Sequence, residues 1–410
     1  EEPVESLVDV FLRVRPRNLR EQGEPQCIRS ESNTVWVTAP LGDREYCFDF
    51  EGVIDSSSGS CDQEKVFLAI GERAVRSLKE GFHTCIFSLG QTGTGKTYTL
   101  LGTAHEPGLL PRIVCLLLER PQPCRISCLE LYMDRVRDLL ADEAVERPSP
   151  EVRCHPDHGV YVSNLSEVSV DDPHAALKLV QVASRSRCVA RTSMNATSSR
   201  GHVVYQLMLE TGSRLCLVDL AGRENERTTG CRGQSLAELS YINKSLFHLT
   251  NVIQALAAAR PGRGPSLVPF RNSKLTLLLS ECLQSARTYL LATISPVVSS
   301  IDETLTTLRL AQAVRHITTK SRRSSEGSTC DPGESGESGE SGESGSAESR
   351  QEESTALTEL AEAPENSFPS PDSTGSTLSA ASSLLLVGNG PSACRAGLQA
   401  RCRAHHSSAL

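Results

Sequence analysis

The stretch Gly90-Gln91-Thr92-Gly93-Thr94-Gly95-Lys96-Thr97 decides the fold class of this chain. It matches the pattern G-x-x-x-x-G-K-[ST] of a phosphate-binding P-loop and follows an apolar run of strand length, residues 84–89. Glycines let the backbone pass close to phosphate oxygens and turn its N–H groups toward them. Lys96 then reaches the β- and γ-phosphates, and the Thr97 hydroxyl binds Mg²⁺. A chance glycine-rich loop is the alternative, and the strand directly before it makes that alternative a poor one.

The 410 residues carry a net charge of −8 that is distributed unevenly. Residues 324–410 hold 13 acidic and 4 basic side chains, a net of −9, so residues 1–323 carry a net of +1. The acidity therefore belongs to the last part of the chain. It does not exclude an acidic partner for the first part.

The 15 cysteines are scattered, with no C-x-x-C pair. This pattern predicts reduced thiols in the cytoplasm and neither a disulfide framework nor a zinc site. No apolar run approaches the ~20 residues of a membrane span, and the acidic residues 1–5 lack a signal-peptide core. We expect a soluble, intracellular protein.

Alternating strands and helices surround the P-loop. Runs of β-branched, aromatic and other apolar residues predict strands at 8–15, 34–38, 46–50, 84–89, 125–132, 203–209 and 214–219. Apolar residues spaced three or four apart predict helices at 63–79, 109–118, 236–256 and 300–317. The last helix begins with a capping-box pattern, Ser300 to Glu303. This order predicts an α/β sheet with helices on both faces.

Composition changes abruptly after residue 323. Glu-Ser-Gly repeats four times at 334–345, and the Ser/Gly/Glu-rich remainder cannot bury enough apolar area to offset the entropy cost of ordering. We predict one folded domain at 5–320 and a disordered tail at 321–410. The chain shows no sustained heptads, so no coiled coil and no oligomer are indicated.

Two further segments contain side chains that suit phosphoryl transfer. Asp219 ends the apolar strand 214–219, where it would help to hold Mg²⁺, and Gly222 follows in a small-residue turn. The loop 195–202 holds Ser199, which completes the metal shell or contacts the γ-phosphate, and Arg200, which we expect to pair with Glu224. Taken alone, these segments are equally consistent with a capped turn and a solvated serine-rich loop.

Together these motifs resemble a kinesin motor domain over about residues 7–318. The matching segments are the P-loop, Ser198-Ser-Arg-Gly-His202, Val218-Asp-Leu-Ala-Gly-Arg-Glu224, Ile242-Asn-Lys-Ser-Leu246 and Val268-Pro-Phe-Arg-Asn-Ser-Lys274. The resemblance implies a P-loop NTPase fold with a central mixed, mostly parallel β-sheet and helices on both faces. It also implies a microtubule-stimulated ATPase that uses Mg-ATP and works on cytoplasmic microtubules, with no nucleic acid as partner.

By resemblance, each segment receives a role. Residues 90–97 hold the phosphates, and Ser198, Ser199 and Arg200 form the first switch. Asp219, Gly222 and Glu224 form the second switch, with Glu224 relaying protons from the attacking water. The residues expected to frame the adenine are Arg13, Arg15, Pro16 and Tyr98.

Tubulin is acidic, so the microtubule-binding face is expected to be basic. The helix at about 235–259 is expected to lie on tubulin. The basic candidates in and near it are Arg227, Arg232, Lys244, Arg260, Arg263, Arg271 and Lys274.

The chain departs from the family pattern at several places, of which three bear on the motor mechanism. Gly201 replaces a serine, which we expect to loosen the first switch, and Arg223 replaces a serine beside Glu224. After Ile317 the residues lack the alternating apolar pattern of a neck linker. These departures leave a second hypothesis open, a non-motile microtubule adaptor with degenerate switches. A guanine-nucleotide switch is disfavoured because no Asn-Lys-x-Asp motif is present.

Overall fold

The structure, a computed structural model, describes residues 4–39, 44–57, 62–142, 144–155, 159–192, 200–222, 234–258, 268–321 and 323. All of them lie in one compact unit, Glu1–Thr329. The strands are β1 Val4–Leu7, β2 Asp9–Val14, β3 Ile28–Glu31, β4 Thr34–Thr38, β5 Glu45–Asp49, β6 Gly52–Asp55, β7 Thr84–Leu89, β8 Cys124–Tyr132, β9 Arg135–Asp138, β10 Glu151–His155, β11 Gly159–Ser163, β12 Val168–Val170, β13 His202–Leu209, β14 Arg214–Asp219, β15 Arg287–Ile294 and β16 Thr318–Ser321. The α-helices are α1 Gln63–Val66, α2 Glu72–Lys79, α3 Lys96–Leu101, α4 Leu109–Leu117, α5 Pro173–Thr192, α6 Gln234–Ala257, α7 Lys274–Leu278, α8 Ser280–Gln284 and α9 Ile301–Val314.

A nine-stranded sheet forms the centre of the described chain, in the order β12-β8-β13-β14-β7-β15-β2-β6, with β9 beside β8. Strands β14, β7, β15, β2 and β6 pair in parallel, and the pairs from β14 out to β12 are antiparallel. Six of the nine strands therefore run in one direction. This confirms the mixed, mostly parallel sheet, and the predicted hairpin 203–219 is present as β13 and β14.

Each face of the sheet carries its own hydrophobic core because side chains alternate along a strand. In β7, Cys85 and Phe87 point into the layer that holds α6 to α9, and Ile86 points into the layer that holds α2, α4 and α5. All six residues of β7 are buried. Burial on both faces explains why the strand that leads into the P-loop is continuously apolar in sequence.

The ends of the domain pair with each other. Strand β1 lies antiparallel to β16, and the Thr319 hydroxyl lies 3.1 Å from that of Ser6. Along β16, Thr319 and Ser321 are buried while Thr318 and Lys320 are exposed. The segment after Ile317 thus alternates between buried and exposed positions, but hydroxyl side chains and not apolar ones take the buried positions, in keeping with the missing apolar pattern of a neck linker.

The predicted helices are present with boundaries shifted by a few residues, and the 63–79 helix contains a π-helical turn at Phe67–Gly71. The capping box at Ser300 was wrong, because its side chain makes no cap hydrogen bond. A 3₁₀ turn, Val298–Ser300, runs directly into α9 and leaves Ser300 near helical geometry. The tail predicted at 321–410 lies outside the described residues except for Ser321 and Arg323.

Candidate nucleotide site

The P-loop connects the carboxyl end of β7 to the start of α3. Gly93 and Gly95 have φ of +80° and +97°, the left-handed region that glycine adopts without a steric penalty. Lys96 is buried, and its Nζ donates to the carbonyl oxygens of Gly90 and Gln91 at 2.8 and 3.0 Å. The lysine ammonium is therefore held inside the loop.

Strand β14 brings a carboxylate to the P-loop. Because β14 and β7 are parallel neighbours, their carboxyl ends meet at one edge of the sheet. There the Thr97 hydroxyl donates to Asp219 Oδ2 at 2.6 Å, and the Ser88 hydroxyl donates to Asp219 Oδ1 at 3.3 Å. A Cβ on Gly222 would lie 2.0 Å from Thr92 Oγ1, so only glycine fits this close to the loop.

These groups fit a magnesium–nucleotide complex. Thr97 and Asp219 supply the hydroxyl and carboxylate oxygens that Mg²⁺ prefers, in contact with each other. Thr92 Oγ1 is buried and makes no hydrogen bond within the described part of the chain. Its hydroxyl can therefore donate to a phosphate oxygen. Lys96 adds a positive charge beside them. The arrangement can bind phosphate oxygens and one divalent cation.

The residues assigned to the adenine side divide into two groups. Tyr98 is 38% exposed and presents its ring to solvent. Arg13 is buried, and its Nη1 donates to Gln63 Oε1 and Thr99 Oγ1, both at 2.9 Å, with its guanidinium 5.4 Å from the centre of the Tyr98 ring. Arg13 thus supports Tyr98 from behind, and contact between Tyr98 and a base stays a prediction.

Arg15 is also engaged with protein groups. It forms a two-bonded ion pair with Glu21 and donates to the carbonyl oxygen of Pro16 at 2.8 Å. The hydrogen bonds from Arg15 lower the pKa of Glu21. Arg15 therefore fixes the backbone at Pro16, and direct contact of either residue with adenine stays a prediction.

Arg187 on α5 is a site residue that the sequence did not indicate. Its Nη1 lies 3.2 Å from Asp219 Oδ2, and its Nε lies 3.4 Å from Glu130 Oε1 on β8. All three side chains are less than 10% exposed. One buried guanidinium thus compensates two buried carboxylates and fixes the one that contacts Thr97.

Gly201 is itself held firmly, while residues 193–199 of the loop that it was expected to loosen lie outside the described ranges. Gly201 is buried, and its carbonyl oxygen accepts from Arg187 Nη2 at 3.1 Å. A Cβ at this position would lie 2.7 Å from Glu130 Oε1. The glycine makes room for the Glu130 carboxylate and ties residue 201 to the same network.

Arg200 contacts the long helix α6. It forms an ion pair with Glu238, whose other oxygen, Oε1, accepts from the Tyr132 hydroxyl at 2.7 Å. Glu238 is only 2% exposed, and nothing in the sequence singled it out. Glu224 lies outside the described residues, so its pairing with Arg200 stays a prediction.

His202 forms a second link to α6. The backbone N–H of Ala221 donates to His202 Nδ1 at 3.0 Å, so the ring proton lies on Nε2, which is 2.9 Å from Ser245 Oγ. Burial lowers the pKa of His202 to about 3, with smaller contributions from the charges of Arg187 and Lys96. The imidazole is therefore neutral at pH 7 and connects β13, the turn after β14 and α6.

This buried histidine predicts a pH-dependent stability. The unfolded chain binds the proton with a pKa near 6.5 and the folded chain does not, so stability falls as pH drops from about 6.5 toward 3. Between pH 7 and 5 this group alone should remove about 2 kcal/mol from the free energy of unfolding. Urea denaturation at both pH values measures the loss. His202→Asn should reduce the difference by that amount, and the exposed-site control His174→Asn should leave it unchanged.

The remaining candidates for the first switch and for microtubule binding fall into two groups. Ser198, Ser199, Arg227, Arg232, Arg260 and Arg263 lie outside the described residues. Of the rest, Lys244 is exposed on α6, Arg271 is exposed in a 3₁₀ turn, and Lys274 is partly exposed at the start of α7. Lys244, Asn272 and Ser273 line one cleft, so these basic residues occupy one side of the domain.

A P-loop at the carboxyl edge of a parallel sheet, with a strand-end aspartate bonded to its threonine, defines an α/β P-loop nucleotide-binding protein. Within that class the chain belongs to the kinesin family: the model of the kinesin motor domain matches residues 13–317. The expected family is thereby confirmed.

Among curated proteins, the chain is similar to kinesin-like protein KIF13B of Homo sapiens, 37% identical over 355 residues, covering 76% of this chain and 19% of that protein. It is also similar to kinesin-like protein KIN-12D of Arabidopsis thaliana, 36% identical over 350 residues, covering 76% of this chain and 12% of that protein. The match therefore spans a fifth or less of the length of these relatives.

Two solved structures share the fold. A KIF14 dimer with AMP-PNP in complex with a microtubule matches with a TM-score of 0.72 at 32% identity, covering 79% of this chain and 97% of that chain. A fast kinesin matches with a TM-score of 0.69 at 34% identity, covering 79% and 96%. Separately, none of the helices in the described ranges has the length and apolar character to cross a membrane.

Proposed function

We propose that this domain hydrolyses Mg-ATP and that microtubule binding accelerates the hydrolysis. The observation that carries the proposal is the 2.6 Å hydrogen bond between Thr97 Oγ1 and Asp219 Oδ2, beside the buried Lys96. It brings a hydroxyl, a carboxylate and a cation together at a P-loop, which is the side-chain set that phosphoryl transfer needs.

Each described residue has a defined task in this reaction. Lys96 binds the β- and γ-phosphate oxygens and neutralises the charge that develops as the terminal phosphate leaves. Thr97 and Asp219 would hold Mg²⁺, which would neutralise phosphate charge. Arg187 orients the Asp219 carboxylate through their ion pair. Water is the nucleophile, and the products are ADP and inorganic phosphate.

The residues outside the described ranges complete the proposal. Ser198 and Ser199 contact the γ-phosphate or its metal, and Glu224 relays the proton of the attacking water. Their roles rest on the family resemblance. Arg200, immediately after Ser199, shows how that loop connects to the rest of the domain, because it pairs with Glu238.

The link to microtubules is proposed to run through α6. Two contacts attach the helix at points seven residues apart: Glu238 pairs with Arg200 of the first switch, and Ser245 contacts His202, two residues further along. The outer side of α6 exposes Tyr241, Lys244 and Phe247. One side of α6 contacts residues next to the phosphate site, and its other side is exposed. A movement of this helix could therefore couple the state of the nucleotide to the binding of a partner.

The partner is proposed to be the microtubule, in the cytoplasm. A related structure, the KIF14 dimer, is in complex with a microtubule. Lys244, Arg271 and Lys274 supply basic groups on one side of the domain for an acidic tubulin surface. Tyr241 and Phe247 add apolar area to the same helix.

Steady-state ATP hydrolysis with and without microtubules tests the proposal. We expect microtubules to raise the rate, and Lys244→Ala to raise the microtubule concentration needed for half-maximal rate about two- to fivefold, the effect of losing one exposed charge pair. Lys178→Ala, an exposed lysine on α5, is the matched control and should behave like the unaltered protein. ATP binding without stimulated turnover would instead support the adaptor hypothesis.

A further inference from the structure

Three cysteines that are far apart in the sequence meet in the core. Cys85 on β7 and Cys216 on β14 lie directly opposite each other in the parallel pairing, and Cys282 on α8 packs over them. The three sulfur atoms all lie within 4.8 Å of one another. All three cysteines are free thiols and buried, with 0%, 7% and 7% of their surfaces exposed.

The cluster belongs to a row of polar residues across the sheet. Gln206 pairs in register with Cys216, and Thr288 pairs in register with Cys85. Among the described histidine, cysteine and acidic residues, none adds a fourth ligand atom to the group. Arg214, two residues before Cys216, pairs at 2.7 Å with Glu281, the residue before Cys282.

The thiols are electrostatically unequal. Hydrogen bonds from Cys282 and Cys85 lower the pKa of Cys216, and the charge of Arg214 lowers it further. Burial raises the pKa of Cys85. Arg214, two residues before Cys216 on the same strand, thus places a positive charge close to the three sulfur atoms.

The geometry suits a three-coordinate metal ion. A metal bonded to three sulfurs at about 2.3 Å needs sulfur–sulfur separations of about 4 Å, a small side-chain adjustment from the present positions. Zinc in structural protein sites takes four ligands, whereas soft thiolate sites also select Cu(I). Three sulfurs without a fourth protein ligand therefore favour Cu(I).

We propose that Cys85, Cys216 and Cys282 form a three-sulfur binding site for Cu(I). Two of the thiols release their protons to solvent on binding and the third coordinates as a neutral thiol, so the complex carries a net charge of −1 near Arg214. The ion ties the strand before the P-loop to the strand that ends at Asp219 and to α8.

The test uses the full reduced chain under anaerobic conditions. In the background protein, serine replaces Cys47, Cys154 and Cys188, which are exposed in the described ranges, and the five cysteines outside those ranges, Cys61, Cys231, Cys330, Cys394 and Cys402. Cu(I) is offered as its bicinchoninate complex, and transfer to the protein is followed by the loss of the chelator's colour. We expect that the binding sites of highest affinity take up one Cu(I) per chain. Cys282→Ser should weaken that binding about tenfold or more. Cys27→Ser, a buried cysteine outside the cluster, should leave it unchanged.

Two further measurements distinguish a folded site from scattered thiols. X-ray absorption of the one-to-one complex should show three sulfur neighbours around copper. The thermal unfolding midpoint should rise with Cu(I) in the background protein and in Cys27→Ser, because the ion binds the folded state, but not in Cys282→Ser. Cys85→Ala repeats the test from a second position, and circular dichroism checks that each variant folds. Equal affinity in Cys282→Ser and Cys27→Ser, a two-sulfur environment, or uptake of Zn(II) in place of Cu(I) overturns the proposal.

Discussion

Replacing Lys96 with alanine is expected to lower the maximal rate of ATP hydrolysis by about 10²- to 10³-fold, the scale for removing one transition-state donor. The ammonium is the one positive charge that the described P-loop holds, and it is buried between the carbonyl oxygens of Gly90 and Gln91. Charge on the transferring phosphate grows as its bond to ADP breaks. Lys96→Ala should therefore lower the turnover rate more than it lowers the affinity for ATP.

Steady-state and single-turnover kinetics with saturating microtubules measure the effect of Lys96→Ala. Lys178→Ala removes an exposed lysine of α5 and serves as the control for charge and stability. Co-sedimentation with microtubules, run on the same variant, separates the two functions considered for this chain. A motor should lose the dependence of microtubule affinity on nucleotide, whereas an adaptor should keep its affinity. Turnover within threefold of the unaltered protein would contradict the assignment of Lys96.

Local patterns predicted the class of the fold and the elements around the P-loop, but they missed β15, which lies between β7 and β2 in the sheet, and the 20-residue helix α5. The P-loop, the strands β7 and β14 and the helix α6 all have short-range signals: glycine spacing, apolar runs and apolar residues three or four apart. The contact between Thr97 and Asp219 followed from them, because the parallel strands β7 and β14 bring these residues to the same edge.

Contacts between distant elements could not be predicted in the same way. Arg187 and Glu238 lie on the buried sides of helices, where a charged residue in the sequence looks like any solvated one. Helix packing determines their partners, and it produces no pattern in the spacing of residues along the sequence. The same holds for the three cysteines, each isolated in sequence and joined only by the sheet and α8.

Arg187→Met is expected to lower the free energy of unfolding by about 3–5 kcal/mol, because it leaves the buried carboxylates of Glu130 and Asp219 without their cation. Methionine keeps much of the side-chain volume, so the loss reports charge more than packing. The carbonyl oxygen of Gly201 also loses its donor. Urea denaturation followed by circular dichroism measures the change.

An exposed arginine on the same helix supplies the control for this prediction. Arg185 lies two residues away on α5 and is exposed, so Arg185→Met should change stability by less than about 0.5 kcal/mol. Adding Glu130→Gln to Arg187→Met removes one of the two uncompensated charges. The double variant should therefore be more stable than the sum of the single changes predicts, by about 0.5–3 kcal/mol. Strict additivity would show that Arg187 acts through packing and that the buried carboxylates do not depend on its charge.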